Sequence, residues 1–109
     1  MKTYKIGMAE TVDSLLKSGR IYIEPFHHGT LEVGVYAPKG SDQQKPHDKD
    51  EVYVVMSGEG VFYCNGESMS FSTGDVLFVP ANAEHRFTEF SDDFKSWVFF
   101  YGPEGGEED

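Results

Sequence analysis

The chain has 109 residues, 39% hydrophobic and 26% charged, which suits one globular domain with a single core. A formal net charge of -10 argues against nucleic acid, where phosphate neutralisation drives binding, and against an anionic membrane surface. The opening MKTYKIGMAE lacks the apolar stretch of a secretory signal, no apolar run reaches spanning length, and one cysteine, Cys64, excludes an intrachain disulfide framework. A cytoplasmic protein is expected.

In chain order, MAETVDSLLK (8–17) is the one helix candidate. Val12, Leu15 and Leu16 fall at helical spacing, Thr11 or Asp13 could cap the start, and Ser18-Gly19 ends it. Residues 1–20 are therefore expected to form a helical segment packed on the remainder of the domain. From Ile21 the chain reads as strands separated by turn residues: 21–24, 31–37, 51–57, 61–64, 67–71, 76–79, 84–90 and 97–101. In 31–37, Leu31, Val33 and Val35 alternate with Glu32, Gly34 and Tyr36, as in a sheet with one face inward. The segment 51–57 is apolar on both faces. Asn65-Gly66 is the strongest hairpin signal, suited to a turn with positive φ at both central residues. Pro80 halts the 76–79 strand, since it cannot donate to a ladder. Residues 104–109 are Gly-rich and acidic and are expected to be frayed. Short, evenly spaced strands without intervening helices define an all-β fold, an antiparallel sandwich or barrel spanning residues 21–103.

His47 and His85 are the informative histidines, because each stands at a strand edge among turn signals. In an extended segment His47 and Glu51 share a face, so both can project into one cavity. Imidazole and carboxylate converging on a barrel interior suit Mn, Fe, Ni or Zn. A second imidazole from a distant strand would complete a two-His, one-carboxylate face. His28, before Gly29, reads first as a turn residue. Cys64 reads as a packed thiol, and Lys45 and Arg86 as solvated.

These residues also carry a resemblance. PHDKDEVYVVMSGEG (46–60) resembles the first cupin motif, in which His47, Glu51 and Gly58 hold the expected spacing. GDVLFVPANAEH (74–85) resembles the second, met by Gly74, Pro80 and His85. The two motifs cover residues 40–89, about half of the chain. The resemblance implies a small single-domain cupin (jelly-roll) barrel with a divalent metal on His47, Glu51 and His85. The first cupin motif usually has His-x-His, and Lys45 stands at the first of these positions, so one ligand is displaced. His28, Gln44, water or substrate could fill that place. Asn82 replaces the second motif's usual glycine, and Glu89 its frequent terminal asparagine.

The implied function is metal-dependent chemistry on a small molecule, such as that of a dioxygenase, isomerase or decarboxylase. The alternatives are a non-catalytic ligand-binding or sensor barrel, or a barrel that has lost its metal. Tyr53 and Glu89 are candidates for proton transfer, and Tyr53, Tyr63, Phe87, Trp97 and Phe99 for pocket walls. The outward apolar residues Val52, Val54 and Met56, with the aromatic 97–101 segment, predict a homodimer.

Overall fold

Residues 4–108 are described by a computed structural model, so residues 1–3 of the expected helical segment and residue 109 of the expected tail lie outside the described residues. The helix α1 (Met8–Ser18) starts one turn earlier than Thr11 or Asp13 would cap it, with Gly7 as N-cap. The Thr11 hydroxyl instead donates back to the Gly7 carbonyl (2.7 Å), and Asp13 pairs with Lys17 at i+4 (2.9 Å). Gly19, at φ 71°, closes the helix as expected. Of the apolar residues only Leu15 is fully buried, whereas Leu16 points to solvent.

Eight strands come after it: β1 (Tyr22–His28), β2 (Leu31–Tyr36), β3 (Asp50–Ser57), β4 (Gly60–Cys64), β5 (Glu67–Phe71), β6 (Val76–Val79), β7 (His85–Phe90) and β8 (Lys95–Tyr101). The first outruns its expected end at residue 24. It passes through Pro25 because β1 is an edge strand, and its pairing register shifts between Ile23 and Phe26. All pairings are antiparallel, in a five-stranded sheet of order β1-β2-β8-β3-β6 and a three-stranded sheet of order β5-β4-β7. Asn65, at φ 48°, carries the β4–β5 hairpin.

The interior between the sheets is aromatic. Tyr53, Phe62, Phe71, Phe87 and Phe94 are all buried, and Phe87 lies within 4.6–5.4 Å (ring centroids) of the other four. Val55, Leu77, Val79 and Val98 complete this core from the larger sheet.

A second, smaller core lies outside the barrel. Val33 and Val35 face away from Tyr36 and are buried under α1, which packs on β1 and β2, so both faces of β2 are covered. Alternation in this strand thus separates two buried faces, with Gly34 and Tyr36 on the barrel side. The tail also differs from expectation. Its backbone is tied down: Gly105 N–H donates to the Asp48 carbonyl (2.6 Å) and Glu107 N–H to the Asp50 carboxylate (2.7 Å).

Candidate metal centre

The register of β3 decides what faces inward. Glu51, Tyr53 and Val55 are buried, while Val52, Val54 and Met56 are partly exposed on the other face. Glu51 is thereby carried into one end of the barrel. His85 opens β7 and is equally buried. His47 sits in the loop before β3, its carbonyl accepting from Asn82 N–H (2.6 Å) and its ring edge-on to Phe100 (5.0 Å). The β6–β7 turn that makes this contact contains Asn82 at φ 66°, a conformation asparagine tolerates. One donor atom from each of His47, Glu51 and His85 lies within 4.8 Å of the other two.

The protons in this cluster can be assigned from its partners. His85 Nδ1 is 2.9 Å from the Ala83 carbonyl, which can only accept, so Nδ1 carries the hydrogen. Nε2 then presents its lone pair to Glu51 Oε1 at 3.2 Å. Both atoms are buried without a hydrogen-bond partner. Two facing acceptors are stable only with a cation or a proton between them. This orphaned pair, flanked by the His47 imidazole, could hold a metal ion, and imidazole with carboxylate is a donor set that fits one. The Ala83 carbonyl would orient the His85 ring. With a proton in the gap, burial opposes the imidazolium, but the Glu51 carboxylate and Ala83 carbonyl outweigh it and leave His85 raised above the ordinary histidine value of 6.5.

Beside the cluster is a cavity of about 160 Å³ lined by Tyr22, Tyr36, Gln44, His47, Glu51, Val98 and Phe100. Gly34 shapes it. A Cβ there would collide with the Tyr22 ring, so the missing side chain leaves the slot in which that ring lies. An adjoining hollow shares Tyr22, His47 and Phe100 with it and is bordered by Glu24, Glu32, Asp48 and Lys49.

A buried carboxylate, Asp42, organises the inner wall. It accepts from the Tyr36 hydroxyl (2.5 Å), the Phe87 N–H (2.7 Å) and the Gln44 side-chain amide (2.9 Å). The Tyr53 hydroxyl donates to Gln44 Oε1 (2.9 Å). Burial, then the Glu51 charge, holds the Tyr53 phenol well above its ordinary range, so it remains protonated at neutral pH.

Several residues expected near the site lie elsewhere. His28 is exposed at the far end of β1 and outside the cluster, whereas Gln44 lines the cavity. Lys45 is exposed. Glu89 is exposed on β7. Tyr63 packs under the Arg86 guanidinium (4.8 Å), on the opposite face of β4 from the buried Phe62. Trp97 and Phe99 face outward from β8, because Val98 and Phe100 take the cavity side. Phe87 and Tyr53 belong to the core. Tyr22, Tyr36 and Phe100 as cavity walls, and Asp42 as the anchor of Tyr36, are additions that the structure makes. No local signal marks them, since their facing is set by strand register.

An antiparallel barrel with two histidines and a carboxylate converging at one end defines a class of small β-barrels with a candidate metal site. The cupin-domain family matches residues 32–101, and the chain belongs to the cupin family. It is 36% identical over 85 residues to an uncharacterised protein of Streptomyces coelicolor, covering 76% of this chain and 81% of that one. It is 34% identical over 74 residues to the HTH-type transcriptional activator RhaS of Yersinia pestis, covering 68% of this chain but only 27% of the activator. Among solved structures, a Cupin 2 conserved barrel domain protein from Salinispora arenicola superposes with a TM-score of 0.63 at 19% identity, covering 94% of this chain and 89% of that one. A structure reported among DMSP lyases aligns with a TM-score of 0.55 at 29% identity, covering 68% of this chain and 38% of that chain. Among the described residues no helix is long and apolar enough to cross a membrane.

Proposed function

We propose that the protein is a metal-dependent cupin enzyme acting on a small, uncharged molecule. The orphaned Glu51–His85 pair carries this reading, because its facing acceptors call for a cation or a proton, and the His47 imidazole beside them supplies a third donor for a metal. A metal held by His47, Glu51 and His85 would supply Lewis-acid polarisation of a substrate donor atom. The chain's own residues set the selectivity. At about 160 Å³ the inner cavity is smaller than the ~300–1,000 Å³ of drug-sized sites, and among the described residues no Lys or Arg lines it. Lys49 of the adjoining hollow is paired with Glu32 (3.4 Å), so among the described residues a phosphate or carboxylate would find no free cation there. The hydroxyls of Tyr36 and Tyr53 already donate to Asp42 and Gln44. The wall residues Tyr36 and Gln44 therefore hold their donors fixed, which favours a substrate that brings its own hydroxyl, thiol or amine hydrogen. The likeness to the structure among DMSP lyases supports an enzyme, and the lone Cys64 a cytoplasmic one.

Protein purified without chelators should carry about one equivalent of Mn, Fe, Ni or Zn per chain. Over a panel of small thiols, diols and keto acids, tracked by oxygen uptake and substrate loss, a neutral thiol or diol should turn over. Less than about a tenth of an equivalent, with no thermal stabilisation on adding those metals, would sink the metal reading. Stoichiometric metal with ligand binding but no turnover would favour a sensor barrel, which the likeness to a transcriptional activator supports.

We propose further that two copies pair through the outer face of the five-stranded sheet. Two apolar rows cross it in register, Val33-Phe99-Val52-Phe78 and Val35-Trp97-Val54-Val76. The α1 helix covers only the β2 end, leaving Val76 66% and Phe78 54% exposed on the edge strand β6. A two-fold interface would bury these rows against their own copies. Sedimentation should show a dimer at micromolar concentration, and Phe78→Glu with Val76→Glu should yield a monomer. A native chain that sediments as a sharp monomer would end this proposal.

A further inference from the structure

We infer that Asp50, together with the C-terminal strap it holds, is the positioning residue of the metal centre. The inference rests on the metal reading above and adds how the site is held in register. The ligands come from two segments far apart in sequence, residues 47–51 and the turn leading to His85. Asp50 directly precedes Glu51, and its carboxylate is buried, 5% exposed. Oδ1 accepts from Ala81 N–H (2.9 Å), in the turn before His85, and Oδ2 from Glu107 N–H (2.7 Å). One carboxylate thus ties both ligand-bearing segments to the C-terminal strap.

The contacts around this tie point the same way. Asn82 N–H binds the His47 carbonyl (2.6 Å), and Gly105 N–H binds the Asp48 carbonyl (2.6 Å), so the strap reaches the residue next to His47 as well. Gly106 makes the close approach possible. A Cβ there would sit 2.9 Å from Asp50 Oδ1 and 3.1 Å from the Ala81 side chain, and its φ of 93° favours glycine. Nothing in the barrel core requires this strap: residues 102–107 contribute no side chain to the apolar cluster. What they contribute is hydrogen bonds to the frame of the site. Contacts of this outer kind fix ligand orientation, and their loss typically weakens metal binding by ~10–100-fold.

The test compares native protein with Asp50→Ala, Asp50→Asn, Gly106→Val and a chain ending at Glu104. Zn²⁺ affinity would be measured by competition with a chromophoric chelator, and site geometry by the visible spectrum of the Co²⁺ form. Circular dichroism would establish folding for each chain. Asp50→Ala, Gly106→Val and the shortened chain should each weaken Zn²⁺ about 10–100-fold and alter the Co²⁺ spectrum. Asp50→Asn keeps one acceptor oxygen and should fall between native and Asp50→Ala. A purely structural role would lower thermal stability and leave both the affinity of the folded protein and the Co²⁺ spectrum unchanged, and that result overturns the inference. If Asp50→Ala does not fold, Gly106→Val and the shortened chain decide alone. Native protein that takes up no Zn²⁺ would instead overturn the metal reading, and this inference with it.

Discussion

Replacing Glu51 or His85 by alanine is expected to cut bound metal from about one equivalent per chain to below about a tenth, because each variant removes a donor from a three-residue set. The same substitutions should destabilise the metal-free protein. Both side chains are buried, His85 0% and Glu51 1% exposed, and either one left alone is an uncompensated polar group in an apolar barrel. Breaking such a pair from one side costs ~3–5 kcal/mol, whereas replacing both partners with leucine should recover most of that loss. The pH dependence comes from His85. Its folded pKa is raised, so the folded state binds the proton more tightly than the unfolded chain does. The pair's stabilisation of the metal-free protein is then full below the unfolded value near 6.5 and lost as pH rises through the raised folded value. A metal must displace that proton, so Zn²⁺ affinity should climb over the same window. Glu51→Gln removes the charge that raises His85 and should flatten the climb. Isotherms at several pH values check this, and a Glu51→Ala protein that keeps stoichiometric metal would refute the ligand assignment.

What could be read from the sequence divides along a physical line. Features encoded by neighbouring residues were legible: the Asn65-Gly66 hairpin, the Gly19 helix stop and the strands that alternate or end at proline. The spacing of His47 and Glu51 paired them, although a bend at Asp48 and Lys49 rather than strand alternation brings them together, and the second motif supplied His85. Features decided between distant strands were not legible. A slip of one residue in β8 reverses every side chain. That is why Trp97 and Phe99 read as pocket walls while the structure gives the cavity to Val98 and Phe100. Asp42 comes just after Gly40 and Ser41 and looks like a solvated loop residue, yet it is buried by hydrogen bonds to Tyr36, Gln44 and Phe87. The Gly-rich acidic tail looked frayed for want of apolar residues. Its anchors are backbone N–H groups, which composition does not reveal.

The largest effect on folding is expected at Phe87. This residue comes from the three-stranded sheet, and its ring meets Phe62 and Phe71 of that sheet, Tyr53 of the other and Phe94 of the loop between β7 and β8. It is a ring through which the two sheets touch, beside the direct Tyr53–Phe62 contact (5.8 Å), and it is 1% exposed. Alanine would delete a phenyl ring from the centre of an aromatic cluster whose members are too rigid to collapse into the void. Truncations of this kind cost ~3–5 kcal/mol, a large part of the ~5–15 kcal/mol that holds a domain together. The backbone at position 87 adds to the consequence, because its N–H is one of the bonds holding Asp42, and Asp42 in turn fixes Gln44 and Tyr36 on the cavity wall. A shift of β7 to fill the void would loosen that wall together with His85, two residues earlier on the same strand. Phe87→Ala should therefore lower the urea midpoint and weaken Zn²⁺ binding together. Glu89→Ala, on the exposed side of β7, should change stability by less than about 0.5 kcal/mol. A Phe87→Ala loss below about 1.5 kcal/mol would mean that the barrel closes around the gap, and that the aromatic cluster does not hold the two sheets together.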